Sequence, residues 1–481
     1  MDCNRFFRLS ENNTSVKTEV LAGITTFLTM AYIIFLQPAI LSGELFGQPT
    51  GMDKNAVMTA TCLAAALATA IMALYARYPI AQAPGMGENF LFVLSVIPAA
   101  LAAGYANAWQ VALGVVFVSG LLFLLLSVLG ARERIVNAIS PSMKNAMAVG
   151  IGLFIAFIGL QNAGLIQSAA SIVPTPAGPS LSTGTLVRLN PNFASADLIV
   201  FFFGLVLTAV LHVRRVRGSI LWGICGTTAL CAGATLLLRA VPPAIAQSRV
   251  FAGSGLVERF QFATGVVSLP TIRPTLFKMD IYHALALWPF ILIFLFMDVF
   301  DTIGTLIGVS EQAGFMKDNK LPRANRALLS DAVGTVAGAC LGTSTVTSYI
   351  ESAAGVEQGG RTGLTGLTAA GLFLLALFFS PLIAMVGSYP AITAPALVVV
   401  GSMMIQNVRK IDWHDYSECI PAFLTMLGIP LTYSIADGLA LGFITYPIIK
   451  LLSGRGKEAG SLSFAMGIVL LAYFIFVRAR L

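Results

Sequence analysis

A few carboxylates lie inside long apolar stretches, where an ionised side chain is costly. Asp298 and Asp301 stand three residues apart within the apolar run 284–310. A spacing of three places both side chains on one face of a helix. Two like charges that close together in a dry site disfavour each other, so at least one aspartate would hold a proton near neutral pH. Because acids at membrane depth are expensive, this pair indicates an ion or proton pathway.

Glu88 and Glu351 each follow a stretch that a regular helix does not tolerate well. Residues 81–87 read Ala-Gln-Ala-Pro-Gly-Met-Gly, and residues 342–350 read Gly-Thr-Ser-Thr-Val-Thr-Ser-Tyr-Ile. Proline, glycine and β-branched residues favour an extended stretch followed by a short helix, whose first N–H groups can bind a ligand. Two such half-helices facing each other would suit a flat heterocycle with alternating donors and acceptors.

The composition says what must surround these acids. Charged residues make up 11% of the 481 residues, and apolar residues make up 57%. Soluble globular chains carry about 25% charged residues, so a soluble enzyme, a disordered protein and a secreted disulfide scaffold are excluded. Six cysteines without a CxxC pair and only three histidines predict no disulfide framework and no metal site. We expect no cofactor.

Apolar stretches of about 17–25 residues, long enough to cross a bilayer, recur along the whole chain. We predict fourteen segments, and a further apolar stretch at 461–477 whose role the sequence leaves open. The segments lie at 20–41, 56–76, 84–100, 108–130, 142–162, 197–213, 219–240, 284–310, 328–342, 344–357, 363–381, 388–406, 418–433 and 434–452.

Basic residues and internal similarity order these segments. With the N-terminus in the cytoplasm, most of the 29 basic residues fall on the cytoplasmic side, as the positive-inside rule requires. The charged linker 311–327 separates two halves of seven segments, and an odd number forces the halves to be inverted. The third segment of each half is short and interrupted, which is the best sequence pointer to the substrate site of a transporter.

Three runs in these segments resemble the AzgA-like purine permeases of the nucleobase–cation symporter (nucleobase–ascorbate transporter) superfamily: 83–87, 298–305 and, most specifically, 342–355. The resemblance covers nearly the whole chain. It implies an all-α polytopic membrane protein with about fourteen transmembrane segments in two inverted seven-segment repeats, as in uracil permease. Short strands in segments 3 and 10 would precede half-helices that meet at the substrate.

The resemblance also implies a division of labour. Residues 1–131 and 284–381 would form a core domain, and residues 132–283 and 382–481 a gate domain. The implied function is secondary active import of hypoxanthine, guanine or adenine by proton symport, through an elevator-like movement of core against gate. The partners would be a purine base, a proton and the lipid bilayer of the cell (inner) membrane, with no nucleic acid. A homodimer is one option for assembly.

By the same resemblance, Asp301 and Glu351 would hydrogen-bond the base, and Asn89 would supply a further polar contact. Proton coupling would fall to Asp301, Glu351 and Asp298, with no catalytic residue. The remaining candidates for substrate binding are Glu88, Thr305, Tyr349 and Ser348.

One position departs from the family pattern. Family members commonly carry an apolar residue before the asparagine of segment 3 and alanine after it, whereas this chain has Glu88 and Phe90 there. Glu88 would either pair with an amino-bearing base or face away from the site. The choice of purine therefore stays open.

Other functions remain to be weighed against this one. The same fold could carry uracil, xanthine or a small anion, but an anion site should be uncharged or basic, and the acids argue against it. An enzyme would need a nucleophile–base pair or a metal cluster, and a channel would need repeated polar residues along a span.

Asp331 follows Ser330 in the first turn of its predicted segment, so we interpret it as a helix-start residue.

Overall fold

The computed structural model describes residues 3–129, 140–168, 171–175, 178–182, 187–240, 250–251, 254–315 and 321–476. Within these ranges, ten helices are long and apolar enough to cross a membrane. They span Val16–Leu41, Lys54–Ala76, Ala108–Val128, Pro141–Asn162, Ala196–Val213, Ser219–Arg239, Ile281–Ser310, Gly363–Gly387, Pro390–Lys410 and Ile435–Leu452.

The elements of the first half alternate long helices with two interrupted regions. They are α1 (Cys3–Phe7), α2 (Val16–Met30), α3 (Ile33–Leu41), α4 (Lys54–Ile71), β1 (Gln82–Pro84), α5 (Met86–Leu91), α6 (Ile97–Ala102), α7 (Ala108–Val128), α8 (Pro141–Asn162), β2 (Ile166–Ser168), β3 (Ser171–Thr175), β4 (Gly178–Ser182), β5 (Val187–Leu189), α9 (Ala196–Val213), α10 (Ser219–Ala240) and α11 (Gly255–Glu258).

The second half repeats the order of long helices, with one interrupted region. Its elements are α12 (Ile281–Ala284), α13 (Trp288–Gln312), α14 (Ala324–Leu341), β6 (Val346–Ser348), α15 (Ser352–Glu357), α16 (Gly363–Ala376), α17 (Ser380–Gly387), α18 (Pro390–Met404), α19 (Tyr416–Thr432), α20 (Ile435–Leu452) and α21 (Gly456–Phe476).

Side-chain caps explain where several spanning helices begin. Ser15, Asp53, Ser140 and Ser195 each accept a hydrogen bond from the third backbone N–H that follows, at the starts of α2, α4, α8 and α9. Such a cap satisfies one of the four N–H groups that a helix start leaves without an internal partner. These local signals set where the four helices begin.

The long helices pack in two groups. In the first group α16 packs against α2 and α4, and α14 against α4 and α7. In the second group α8 packs along α18 and α19, and α9 packs along α10 and α18. The fifth span of each half thus contacts the sixth span of the other half, which is the arrangement expected of inverted repeats.

Two regions of the fold add to the sequence prediction. The stretch 461–477, left open above, lies mostly in α21, which packs along α20 so closely that a Cβ at Gly467 would lie 3.0 Å from the carbonyl oxygen of Phe443. The loop 163–196 contains two antiparallel strand pairs, β2 with β5 and β3 with β4.

Candidate substrate site

Two short strands pair at the centre of the first helix group. The strand β1 pairs antiparallel with β6, which places Gln82 opposite Ser348 and Pro84 opposite Val346, and every residue of both strands is buried. The helices α5 and α15 begin directly after these strands. The predicted strands and half-helices of segments 3 and 10 are confirmed, and the first N–H groups of both half-helices lie beside one small ribbon.

The two aspartates of α13 have different surroundings. Asp298 is fully buried, and the Thr335 hydroxyl of α14 donates a 2.9 Å hydrogen bond to its Oδ2, while its Oδ1 has no hydrogen-bond partner. Asp301, one turn further along, is exposed although Val299 and Thr302 beside it are buried. Both carboxyl groups belong to one helix, but only Asp301 is open to a small molecule.

Glu351 lies at the start of α15 and is half-buried. The Tyr32 hydroxyl donates a 2.7 Å hydrogen bond to its Oε1. Next to it, Ile350 is 48% exposed, and a Cβ at Gly308 of α13 would lie 3.4 Å from the Cδ1 atom of Ile350. The open face of α13 therefore adjoins the start of α15, where Glu351 is held by Tyr32.

Asn89 of α5 is completely buried and fully engaged with protein groups. Its Oδ1 accepts hydrogen bonds from Gln37 Nε2 at 2.9 Å and from the Ser344 hydroxyl. Its Nδ2 donates to Gln37 Oε1. Gln37, which sequence reasoning missed, also donates 2.8 Å to the Thr343 hydroxyl, so it joins α3, α5 and the stretch before β6.

Glu88 occupies the first turn of α5 and is 1% exposed. Its Oε2 lies directly over Gly85, so that any Cβ at position 85 would collide with it. The carboxyl group therefore folds back on the start of its own helix. A larger residue at position 85 would therefore displace the Glu88 carboxyl group. The role of Glu88 in substrate binding stays a prediction.

Asp331 was interpreted as a helix-start residue, and that interpretation is wrong. The helix α14 begins at Ala324, so Asp331 lies about two turns inside it. It is completely buried and accepts hydrogen bonds from Gln82 Nε2 at 2.6 Å, the Thr302 hydroxyl at 2.6 Å and the Ser348 hydroxyl at 3.2 Å. The missed signal was an acid followed by a long stretch, 332–350, without another charge.

The remaining candidates support the ribbon. The Ser348 hydroxyl donates a hydrogen bond to Asp331. The buried Tyr349 hydroxyl donates a 2.5 Å hydrogen bond to the carbonyl oxygen of Pro84. Thr305 is 8% exposed, one turn beyond Asp301. The structure thus brings Asp301 and Glu351 to accessible positions, while Ser348 and Tyr349 tie β6 to β1 and α14.

No cation balances these acids in the part of the chain that the structure describes. Among the ion pairs in the described ranges, none involves Glu88, Asp298, Asp301, Asp331 or Glu351. The side-chain partners of Asp298, Asp331 and Glu351 are hydroxyl and amide groups. A site of this kind can accept hydrogen bonds from a neutral ligand and can hold protons.

Comparison with known proteins identifies the family to which this chain belongs. Residues 17–441 match the permease family. The chain belongs to this family. It is similar to the guanine/hypoxanthine permease PbuG of Bacillus subtilis, with 43% identity over 98% of this chain and 99% of PbuG. It is also similar to the adenine permease AdeP of Escherichia coli, with 36% identity over 99% of this chain and 96% of AdeP.

A solved structure supports the fold class independently. The transmembrane domain of the cyanobacterial bicarbonate transporter BicA superposes with a TM-score of 0.60 over 89% of this chain and 97% of that domain, at 16% identity. The predicted polytopic fold of the uracil-permease type is confirmed. This member of the permease family is a multi-pass membrane protein and a transporter, not an enzyme.

Proposed function

We propose that this permease imports purine nucleobases, namely hypoxanthine, guanine or adenine, by proton symport across the cell membrane. Its relatives PbuG and AdeP are named for guanine, hypoxanthine and adenine, and the similarity extends over nearly the whole chain. The observation that carries the proposal is the exposed carboxyl group of Asp301 within an apolar helix, next to the half-helix that Glu351 begins.

The chemistry of a purine matches this pair of acids. Ionised carboxylates only accept hydrogen bonds, and purine bases present ring N–H groups, with an added amino group in guanine and adenine. Asp301 and the Oε2 of Glu351, whose Oε1 is bound by Tyr32, would each accept one such donor. Hydrogen bonds to charged groups contribute about 1.5–3 kcal/mol each, which is enough to select bases from apolar rings.

The proton would be carried by the acids that have no cation beside them. Asp298 combines complete burial with an Oδ1 atom that receives no hydrogen bond. An ionised carboxylate there would be uncompensated, so we assign the coupling proton to the set formed by Asp298, Asp301 and Glu351. Binding of the base at the two accessible acids would then change how readily Asp298 exchanges its proton.

Movement of a core domain (1–131 and 284–381) against a gate domain (132–283 and 382–481) would provide alternating access. The two helix groups described above support this division. Contacts between the groups near the site include Gly87 of α5, where a Cβ would lie 3.2 Å from the Ile151 side chain of α8, and Ser95, whose hydroxyl lies 3.4 Å from that of Ser434. Movement of one group against the other would exchange these contacts.

The site would be open toward the cytoplasm in this structure. Asp301 and Gly304, three residues apart on α13, are both exposed, and the helix runs from them toward the linker 311–327. On the other side of the ribbon, aromatic rings close the route: Phe90 packs edge-on against Phe154 at 5.8 Å, and Phe154 against Tyr433 at 5.3 Å. This sidedness presumes the N-terminus in the cytoplasm, as the basic residues favour.

Uptake in a bacterial strain without endogenous purine transport tests the proposal. Cells expressing the chain should accumulate labelled hypoxanthine, and unlabelled guanine or adenine should compete while uracil and bicarbonate do not. Competition by uracil or xanthine alone would favour the alternative nucleobase, and competition by bicarbonate alone would favour an anion transporter. Absence of all uptake by correctly inserted protein would refute the proposal.

A homodimer remains our expectation for assembly, to be checked by the mass of the detergent-solubilised protein.

A further inference from the structure

The first membrane span is broken directly beside both half-helices. The helix α2 ends at Met30 and α3 begins at Ile33, and the side chains that follow the break, Tyr32 and Gln37, are 2% and 0% exposed. Each of them contacts a polar residue of a different half-helix. A single short stretch of the first span therefore touches both halves of the candidate site.

The contact to α5 is a reciprocal pair of carboxamides. Gln37 Nε2 donates 2.9 Å to Asn89 Oδ1, and Asn89 Nδ2 donates back to Gln37 Oε1. The second lone pair of Asn89 Oδ1 accepts from the Ser344 hydroxyl. Because a carboxamide oxygen has two lone pairs, Asn89 has no acceptor capacity left for a base in this arrangement.

The contact to α15 holds a carboxylate. The Tyr32 hydroxyl donates 2.7 Å to Glu351 Oε1, and the Thr29 hydroxyl, one turn before the break, approaches the Glu351 carbonyl oxygen at 3.4 Å. Tyr32 thus fixes the orientation of the acid and leaves Glu351 Oε2 available. The two contacts are equivalent in role, since each fixes the first turn of one half-helix from the same broken span.

We propose that Gln37 is a positioning residue of the transport site: it orients the half-helix α5 through Asn89, and Asn89 acts through this pair rather than by touching the base. Tyr32 does the same for α15 through Glu351. The inference rests on the proposed function for its substrate, but it concerns this chain's own side chains. It assigns roles to Tyr32 and Gln37 and changes the one expected for Asn89.

An exchange of the two amides tests the pair. The variants Gln37→Asn and Asn89→Gln each change the length of one partner by one methylene, and the double variant restores the summed length. Each single variant should raise the KM for hypoxanthine about fivefold to tenfold, the worth of about one hydrogen bond, with little change in the maximal rate. The double variant should return to within about threefold of the wild-type protein.

The opposite pattern overturns the inference. If Gln37→Asn behaves like the wild-type protein while Asn89→Gln and the double variant both lose binding, Asn89 contacts the base itself. If neither single variant yields folded protein, the double variant decides alone: binding near the wild-type level upholds the pair, and loss of binding refutes it.

A second measurement does not depend on the substrate. In detergent-solubilised Gln37→Asn protein, the backbone amides of residues 86–91 should exchange with deuterium at least about tenfold faster than in the wild-type protein, because the tie to α3 is lost. Thr61→Val is the matched control: it removes a buried hydroxyl whose 2.7 Å bond stays within α4, and it should leave exchange at 86–91 unchanged. Equal exchange in Gln37→Asn and the control would refute the positioning role even if hypoxanthine proved to be the wrong substrate.

The isosteric variant Tyr32→Phe tests the other contact. It should raise the KM about tenfold, because the hydrogen bond that it removes ends on a carboxylate, while the amount of folded protein stays at the wild-type level. An unchanged KM would remove Tyr32 from the proposal.

Discussion

Two clusters of acids in this permease are built in opposite ways. At one end of α19, α20 and α21, Lys450 is 1% exposed and lies 3.0 Å from Glu418, 3.0 Å from Glu458 and 3.5 Å from Asp415. Around the ribbon of β1 and β6, none of the acids has an ion-pair partner within the described ranges. Every acid of the first cluster, which we call the balanced cluster, has a cation within 3.5 Å.

The difference separates a structural role from a transport role. Hydrogen bonds from Arg455 and then Lys450 hold the pKa of Glu458 at about 2, and hydrogen bonds from Ser417, with Arg455 adding to them, hold the pKa of Asp415 well below its usual range. These acids stay ionised at every physiological pH and join helix ends. An acid that must take up and release a proton during each cycle cannot be held in this way, which is why the site acids lack cations.

The largest effect should follow from removing an accessible site acid. Asp301→Asn and Glu351→Gln each replace a charged acceptor of a base N–H group, so the transport rate relative to KM should fall about 10- to 100-fold. Folding should be unaffected, since neither charge has a cationic partner to lose. Uptake of labelled hypoxanthine and the thermal unfolding midpoint, measured on the same preparations, check both statements; undiminished uptake would remove these acids from the site.

A substitution in the balanced cluster should lower the stability of the protein and leave substrate binding nearly unchanged. Lys450→Met removes the cation beside Glu418, while Arg455 stays paired with Asp415 and Glu458. A carboxylate left at this helix junction without its cation should lower the stability of the protein. Thermal unfolding in detergent should show the loss, while the KM for hypoxanthine in the protein that remains folded stays within about twofold of wild type. A changed KM with unchanged stability would contradict the comparison.

The variant Asp298→Asn tests whether this buried acid of the site carries the coupling proton. The side chain keeps its shape and its Thr335 contact but can no longer exchange a proton, so uptake should stop responding to an imposed proton gradient. Exchange of labelled for unlabelled hypoxanthine, which needs no net proton movement, should persist. The stability should change by less than about 1 kcal/mol, because no paired charge is lost. If gradient-driven uptake survives in this variant, the proton is carried elsewhere.

The smallest effect concerns pH and the balanced cluster. Because the folded-state pKa of Glu458 is depressed from its ordinary 4.5 to about 2, its contribution to stability is fully present above pH 4.5 and is lost as the pH falls toward 2. The Glu458→Gln variant should therefore be less stable than wild type at neutral pH, and the difference should vanish on acidification. The pH dependence of transport near neutrality should be the same in both proteins, since this carboxylate does not titrate there.

Much of the fold was predictable because membrane physics acts on local patterns. Apolar length gave the spans, and the breaks at 81–87 and 342–350 gave the two strands and half-helices that the structure contains. The missed residues share a different feature. Gln37 and Asp331 acquire their meaning only from residues distant in sequence, Asn89 and Gln82 among them. No local pattern encodes such pairings.

The start of α14 illustrates the same limit in another way. Ala324 to Ala327 is too polar to count as part of a span, so the sequence placed Asp331 in a first turn, whereas the helix begins before the apolar stretch. Helix bounds follow backbone hydrogen bonding, and these need not end where hydropathy changes.

Gradient-driven accumulation in proteoliposomes tests the central claim most directly. Purified protein is reconstituted, an inward proton gradient is imposed, and the internal concentration of labelled hypoxanthine is followed beside the Asp301→Asn protein and protein-free vesicles. The account predicts accumulation above the external concentration by wild-type protein only, and collapse of that accumulation when a protonophore is added. Accumulation that is unaffected by the protonophore, or equal in the Asp301→Asn protein, would contradict it.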